Sequence, residues 1–236
     1  MIISHRGKYE HSPFSENSIE ALTSALKQSY IGGVEFDVRM TKDHILVIHH
    51  NMTIDHTSDG TGILSTMTLN ELYQYNFGTK KHPSKIATLQ NFLDVIDTDK
   101  VIMIELKNGM ENDAIFVQKI EELIRQYRHL NIKICSFSES LLKKIQHISA
   151  LGKITFFSLK QLPKHLAFYS IYYKNIEKGI SFPYYIWTIQ NKKELEQVLS
   201  SLNKNCQGII TDVPRTVFQF IHKHRDNHHI SESLSL

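Results

Sequence analysis

Strand-like and helix-like segments alternate along almost the whole chain, and that alternation most constrains its fold. Apolar, β-branched runs fall at 1–4, 33–39, 101–107, 132–137, 154–158, 184–189 and 208–212, with a weaker one at 166–172. Helical patterns lie between most of them, at 16–26, 113–128, 139–147 and 193–199, and a last helix reaches about residue 222. Strands joined by helix-length crossovers pair in parallel. Eight of them favour an α/β fold closed as a TIM (β/α)8 barrel over an open sheet. No Gly-rich dinucleotide fingerprint follows any strand, which argues against a doubly wound sheet. The run Ile45 to His49 returns after a polar turn too short for a crossover, so it pairs back antiparallel on 33–39.

The strand 33–39 carries Glu35 and Asp37, which a period of two points to one face. Acids on an apolar strand are expensive to bury unless a cation lies between them, and a hard divalent ion suits carboxylate oxygens. The plainer alternative is a solvent-facing pair on an edge strand. His49 and His50 end the return strand, and its register decides which ring shares the acidic face. Glu105 and Lys107 share a face at the end of the 101–107 strand, as a metal ligand beside a phosphate clamp or as a simple ion pair. His5 and Arg6 precede Gly7 at the end of the first strand. In a closed barrel, strand C-termini converge on one mouth, which gathers His5, Glu35, Asp37, Glu105, Lys107 and Trp187.

Helix starts are marked by Asn17 with Glu20 and by Thr68 with Glu71. The polar, turn-rich span 51–98 with its two short helices reads as an insertion in a barrel covering 1–224, and 225–236 reads as a flexible tail. A net charge of +3, spread without a stripe, gives no nucleic-acid footprint. Cys135 and Cys206 do not make a disulfide framework, which fits a reducing, cytoplasmic setting. No run approaches the roughly 20 apolar residues of a membrane span. The opening Met1-Ile2-Ile3-Ser4-His5 lacks a secretory pattern. The oligomeric state is left open.

Taken in order, His5-Arg6-Gly7, Glu16-Asn17, Glu35-x-Asp37, Val47-Ile48-His49, Asp59-Gly60-Thr61-Gly62, Glu105-x-Lys107, Trp187-Thr188 and Gly208-x-x-Thr211-Asp212-x-Pro214 resemble the glycerophosphodiester phosphodiesterases. The resemblance implies a phosphatidylinositol-phospholipase-C-like barrel that hydrolyses a small glycerophosphodiester to glycerol 3-phosphate and an alcohol. By it, Glu35, Asp37 and Glu105 hold one Mg²⁺ or Ca²⁺, and His5 and His49 form the acid/base pair. Arg6 and Lys107 contact phosphate, and Trp187 lines the glycerol pocket. The chain departs from the family in three places. His50 stands where Asp usually follows the second histidine, His56 where Arg often precedes Thr, and Ile189-Gln190 where Val-Asn follows Trp-Thr. Two alternatives accompany this reading: a lysophospholipase D on the same scaffold, with the aromatics at 169–185 as an apolar lip, and a barrel that binds a phosphodiester without turnover.

Overall fold

The computed structural model describes residues 1–107, 114–145, 148, 150–156 and 166–225. Its strands are β1 (Ile2–His5), β2 (Gly33–Met40), β3 (Leu46–Ile48), β4 (Val101–Leu106), β5 (Ile132–Ser136), β6 (Leu151–Thr155), β7 (Phe168–Tyr172), β8 (Tyr184–Ile189) and β9 (Cys206–Thr211). All but β3 pair in parallel, and β1 bonds both β2 and β9, which closes an eight-stranded barrel. The helices are α1 (Ile19–Leu26), α2 (Leu69–Leu72), α3 (Leu89–Asp94), α4 (Ala114–Gln126), α5 (Glu139–Lys144), α6 (Lys192–Leu199) and α7 (Pro214–Arg225). The chain is thus the expected TIM barrel.

Alternation along the strands explains both the core and the site. On β2, Val34, Phe36, Val38 and Met40 join the outer core under α1, α3, α4 and α5, so Glu35 and Asp37 take the inner face. On β4, Ile102, Ile104 and Leu106 join that same outer core, while Val101 and Met103 enter the barrel interior with Ile3, Cys135, Tyr185 and Ile210. Glu105 and then Lys107 continue the inner row above Met103. A second outer core joins β7, β8 and β9 to α6 and α7. Gly33 lets β2 approach β4, because a Cβ there would lie 2.4 Å from the Val101 carbonyl oxygen.

Two local expectations are corrected. The N-cap of α1 is Ser18, whose hydroxyl accepts from the Ala21 N–H, and not Asn17, which stands just outside the helix in the left-handed region at φ 61°. The strand expected at 154–158 begins at Leu151, and 157–158 lie outside the described residues. Gly152 weakens the strand pattern there, yet only a glycine fits: its Cβ would meet the Phe168 ring at 2.2 Å. The expected starts at Asp113 and the end at His147 also fall outside the described residues, as does 226–236 of the tail.

Within the 51–98 span, Ile54, Leu64, Leu72, Phe77 and Ile86 form a small core with Val47 of β3. The capping box of Thr68 and Glu71 starts α2 as expected. Helix α3 packs instead into the outer core of the barrel through Leu89, Phe92 and Leu93. No helix among the described residues is long and apolar enough to cross a membrane.

Candidate active site

Parallel register brings the polar ends of β1, β2 and β4 level. His5 is paired with Glu35, and Asp37 with Glu105. One oxygen from each of Glu35, Asp37 and Glu105 lies within 4.8 Å of the others, and all three residues are buried. Two cations answer them. Lys107 Nζ lies 2.7 Å from Asp37 Oδ1 and 2.5 Å from Glu105 Oε1. Arg6 Nε lies 3.2 Å from Asp37 Oδ2, an ion pair without hydrogen-bond alignment, while its Nη1 bonds Glu16 Oε1 at 2.8 Å.

Three carboxylates against two cations leave the cluster short of positive charge, and the proton affinities record this. Burial would raise Asp37, but Lys107 and then Arg6 hold it far below the usual carboxylate range. Burial lifts Glu35 well above that range, and Asp37 and Glu105 add to the rise. Burial, then Asp37, pushes Glu105 up to about 7 even with Lys107 beside it. Glu35 Oε2 is buried and makes no hydrogen bond among the described residues. An orphaned carboxylate oxygen within an all-oxygen donor set fits a hard divalent cation.

His5 is held from behind. Its Nδ1 donates to Asp212 Oδ1 at 2.6 Å, and its Nε2 lies 3.9 Å from Glu35 Oε2. Burial would raise Asp212, but the bond from His5 keeps it low, so the carboxylate is the acceptor of that bond. Arg6 and Asn17 both have positive φ, at 55° and 61°, and both side chains meet Asp37. Such backbone is costly for non-glycine residues and persists here where it aims two side chains at one carboxylate.

β3 settles the register that the sequence left open. Val38 pairs with Ile48, and the His49 N–H bonds the Asp37 carbonyl, so His49 stands opposite Asp37 on the acidic face. The ring is 3 % exposed. Its Nδ1 donates to the Asn51 carbonyl at 3.0 Å, so its Nε2 accepts from the Thr57 hydroxyl at 2.7 Å. Burial lowers its pKa to about 4, and the ring is neutral at pH 7.

Trp187 is placed on the opposite side of the mouth by a bond from its Nε1 to the Ser170 carbonyl at 2.9 Å. Its ring meets Phe137, Phe156 and Tyr172 at centroid distances of 5.5, 4.9 and 5.3 Å. Phe137 and Phe156 follow β5 and β6, Tyr172 ends β7 and Trp187 lies within β8, and Phe156 is 48 % exposed. Tyr169, Tyr173, Tyr184 and Tyr185 are instead buried in the cores.

Sequence reasoning gave no site role to Asp212, Asn51 or Thr57, and read Asn17 only as a helix start. Asp212 was discoverable: closure puts the end of β9 beside β1, with Ser4 paired to Thr211. The contacts of Asn17, Asn51 and Thr57 depend on loop geometry that no periodicity encodes.

The sequence profile of the glycerophosphoryl diester phosphodiesterase family matches residues 5–170. A glycerophosphodiester phosphodiesterase of Caldanaerobacter subterraneus subsp. tengcongensis is 30% identical, over 94% of this chain and 98% of its own. Among solved structures, a phosphodiesterase of Oleispira antarctica in complex with the product sn-glycerol-3-phosphate superposes with a TM-score of 0.81 at 22% identity, over 94% of this chain and 96% of that one. A glycerophosphodiester phosphodiesterase from Parabacteroides distasonis gives 0.79 at 21% identity, over 95% and 97%. The chain belongs to the glycerophosphoryl diester phosphodiesterase family.

Proposed function

We propose that this family member hydrolyses small glycerophosphodiesters to glycerol 3-phosphate and an alcohol, with one divalent cation and two histidines. The observation that carries the reading is the buried trio Glu35, Asp37 and Glu105 at the barrel mouth, set beside His5, Arg6 and Lys107. Glu35, Asp37 and Glu105 would hold Mg²⁺ or Ca²⁺. When bound, that ion supplies Lewis-acid neutralisation of phosphate charge. Arg6 and Lys107 add fixed positive charge at the same place, as a phosphodiester requires.

The two rings are prepared for different parts of the proton transfer. His49 is neutral with its lone pair on Nε2, so it is fit to take a proton once the Thr57 hydroxyl turns aside. His5, backed by the Asp212 carboxylate, is fit to carry a proton to the departing alkoxide. Trp187 lines the apolar side of the pocket. Substituting either histidine by Ala removes a proton-transfer group worth about 10²–10⁴ in rate. Near-wild-type turnover in both variants overturns the assignment.

The half-exposed wall of Phe137, Phe156, Tyr172 and Trp187 favours a second reading, in which the same site accepts lysophospholipids. Detergent-dependent activity on lyso-lipids above that on water-soluble diesters supports it. Two buried free cysteines support a cytoplasmic setting.

A further inference from the structure

His49 and His50 are adjacent in sequence but opposite in situation. His49 is buried with both ring nitrogens bonded. His50 is half-buried, and only its Nδ1 is engaged, by Asn51 Oδ1 at 2.7 Å. An amide oxygen only accepts, so His50 Nδ1 donates and Nε2 keeps its lone pair. That Nε2 has no partner among the described residues. The position is nonetheless fixed. The His50 carbonyl accepts from Arg39 Nε at 2.9 Å, and Arg39 is itself buried two residues along β2 from Asp37.

The surroundings tie His50 to the phosphate side of the mouth. It lines a small cavity with His49, Thr57, Glu16 and Asn17. Glu16 bonds Arg6, and Asn17 donates from Nδ2 to Asp37 Oδ2 at 3.0 Å. The other amide atom, Asn17 Oδ1, is buried and unpartnered. Asn17 as a whole is 7 % exposed. Asp37, Lys107 and Arg6 are the charges that act most strongly on His50. Asn17 Oδ1, a buried acceptor that needs a donor, and the open lone pair of half-buried His50 Nε2 therefore border the cluster proposed above to hold phosphate. A phosphate ester that carries free hydroxyls brings donors and anion together.

We infer that His50 Nε2, with Asn17 Oδ1, forms a hydroxyl-binding subsite that selects phosphate esters carrying a polyol. This rests on the function proposed above. His50 is here a substrate-binding group, distinct from the acid/base pair.

The test is calorimetric binding of two probes, sn-glycerol 3-phosphate and inorganic phosphate, to the full chain with saturating Mg²⁺ or Ca²⁺. His50→Leu keeps bulk and loses the acceptor; His50→Gln keeps an acceptor. One hydrogen bond lost is worth about tenfold in affinity. His50→Leu is expected to weaken sn-glycerol 3-phosphate about tenfold and leave inorganic phosphate unchanged, while His50→Gln retains most of the affinity. If His50→Leu does not fold by thermal melt, His50→Ala takes its place. Unchanged sn-glycerol 3-phosphate affinity, or an equal loss for both probes, overturns the inference. A wild-type protein that binds the probe selectively but turns over no diester overturns the proposed function alone.

Discussion

Replacing Glu105 by Gln separates what the acidic cluster costs the metal-free fold from what it gives a cation. Glu105 is 8 % exposed, and burial followed by Asp37 lifts its pKa from an ordinary 4.5 to about 7. A carboxyl whose folded pKa exceeds its unfolded one binds more protons folded than unfolded. The stability given by the neutral form is complete below about pH 4.5 and is lost as pH rises through about 7. At about 1.4 kcal/mol per tenfold change in proton affinity, the loss is about 3 kcal/mol. Asp37 adds no slope here, because it is held low and is ionised in both states across this range. His49 slopes the other way. Its folded pKa of about 4 lies below the ordinary 6.5, so its neutral ring adds stability as pH rises between them. Glu35, raised in part by Glu105, slopes the same way as Glu105, so the difference between wild type and Glu105→Gln reports Glu105 together with its repulsion of Glu35. The assay is urea unfolding in EDTA at about pH 5 and about pH 8. The variant is expected to match wild type at the lower pH within about 1 kcal/mol and to exceed it by about 3 kcal/mol at the higher. Saturating Mg²⁺ or Ca²⁺ then stabilises wild type, by about 2.7 kcal/mol at one hundred times the Kd, and not the variant. A wild type as stable as the variant in EDTA at about pH 8 refutes the reasoning.

Three further outcomes follow from single contacts. Asp212→Asn removes the anion behind His5 while keeping its shape, so kcat is expected to fall about 10²-fold or more with little change in thermal stability; an unchanged kcat sinks that role. Gly33→Ala forces a methyl against the Val101 carbonyl oxygen and is expected to destabilise by about 1–3 kcal/mol in denaturant titration, whereas a neutral result contradicts the close approach of β2 to β4. Phe156→Ser removes the most exposed ring of the mouth wall, so it is expected to lower any activity on lyso-lipids several-fold while sparing water-soluble diesters; equal loss on both substrates contradicts a lip.

Much of the architecture was legible because it rests on periodicity. The inner row of Glu35 and Asp37, and of Glu105 and Lys107, follows from a period of two on strands whose other residues are apolar. The convergence of His5 with Glu35 follows from parallel closure. The register of β3 was not legible, since one residue of slip exchanges His49 for His50, and it took the pairing of Val38 with Ile48 to decide it. The role of Asn17 was hidden by its helix-start pattern. Ser18 makes a better-placed cap one residue later, which frees Asn17 to take positive φ and reach Asp37. The strand at Leu151 was blurred by Gly152, a residue required by the Phe168 ring and not by the strand itself. Half of the aromatic wall was invisible because Phe137 and Phe156 lie just past their strands, and only barrel closure brings them to Trp187 and Tyr172.

The central claim is a metal-dependent phosphodiesterase, and one measurement meets it directly. Release of glycerol 3-phosphate is followed from glycerophosphocholine, glycerophosphoethanolamine and glycerophosphoglycerol, with Mg²⁺, Ca²⁺ or EDTA, beside a Glu105→Ala control. The account predicts release that needs the cation and is lost in the control. Release that persists in EDTA, or no release from any of the three by folded, metal-binding protein, contradicts it.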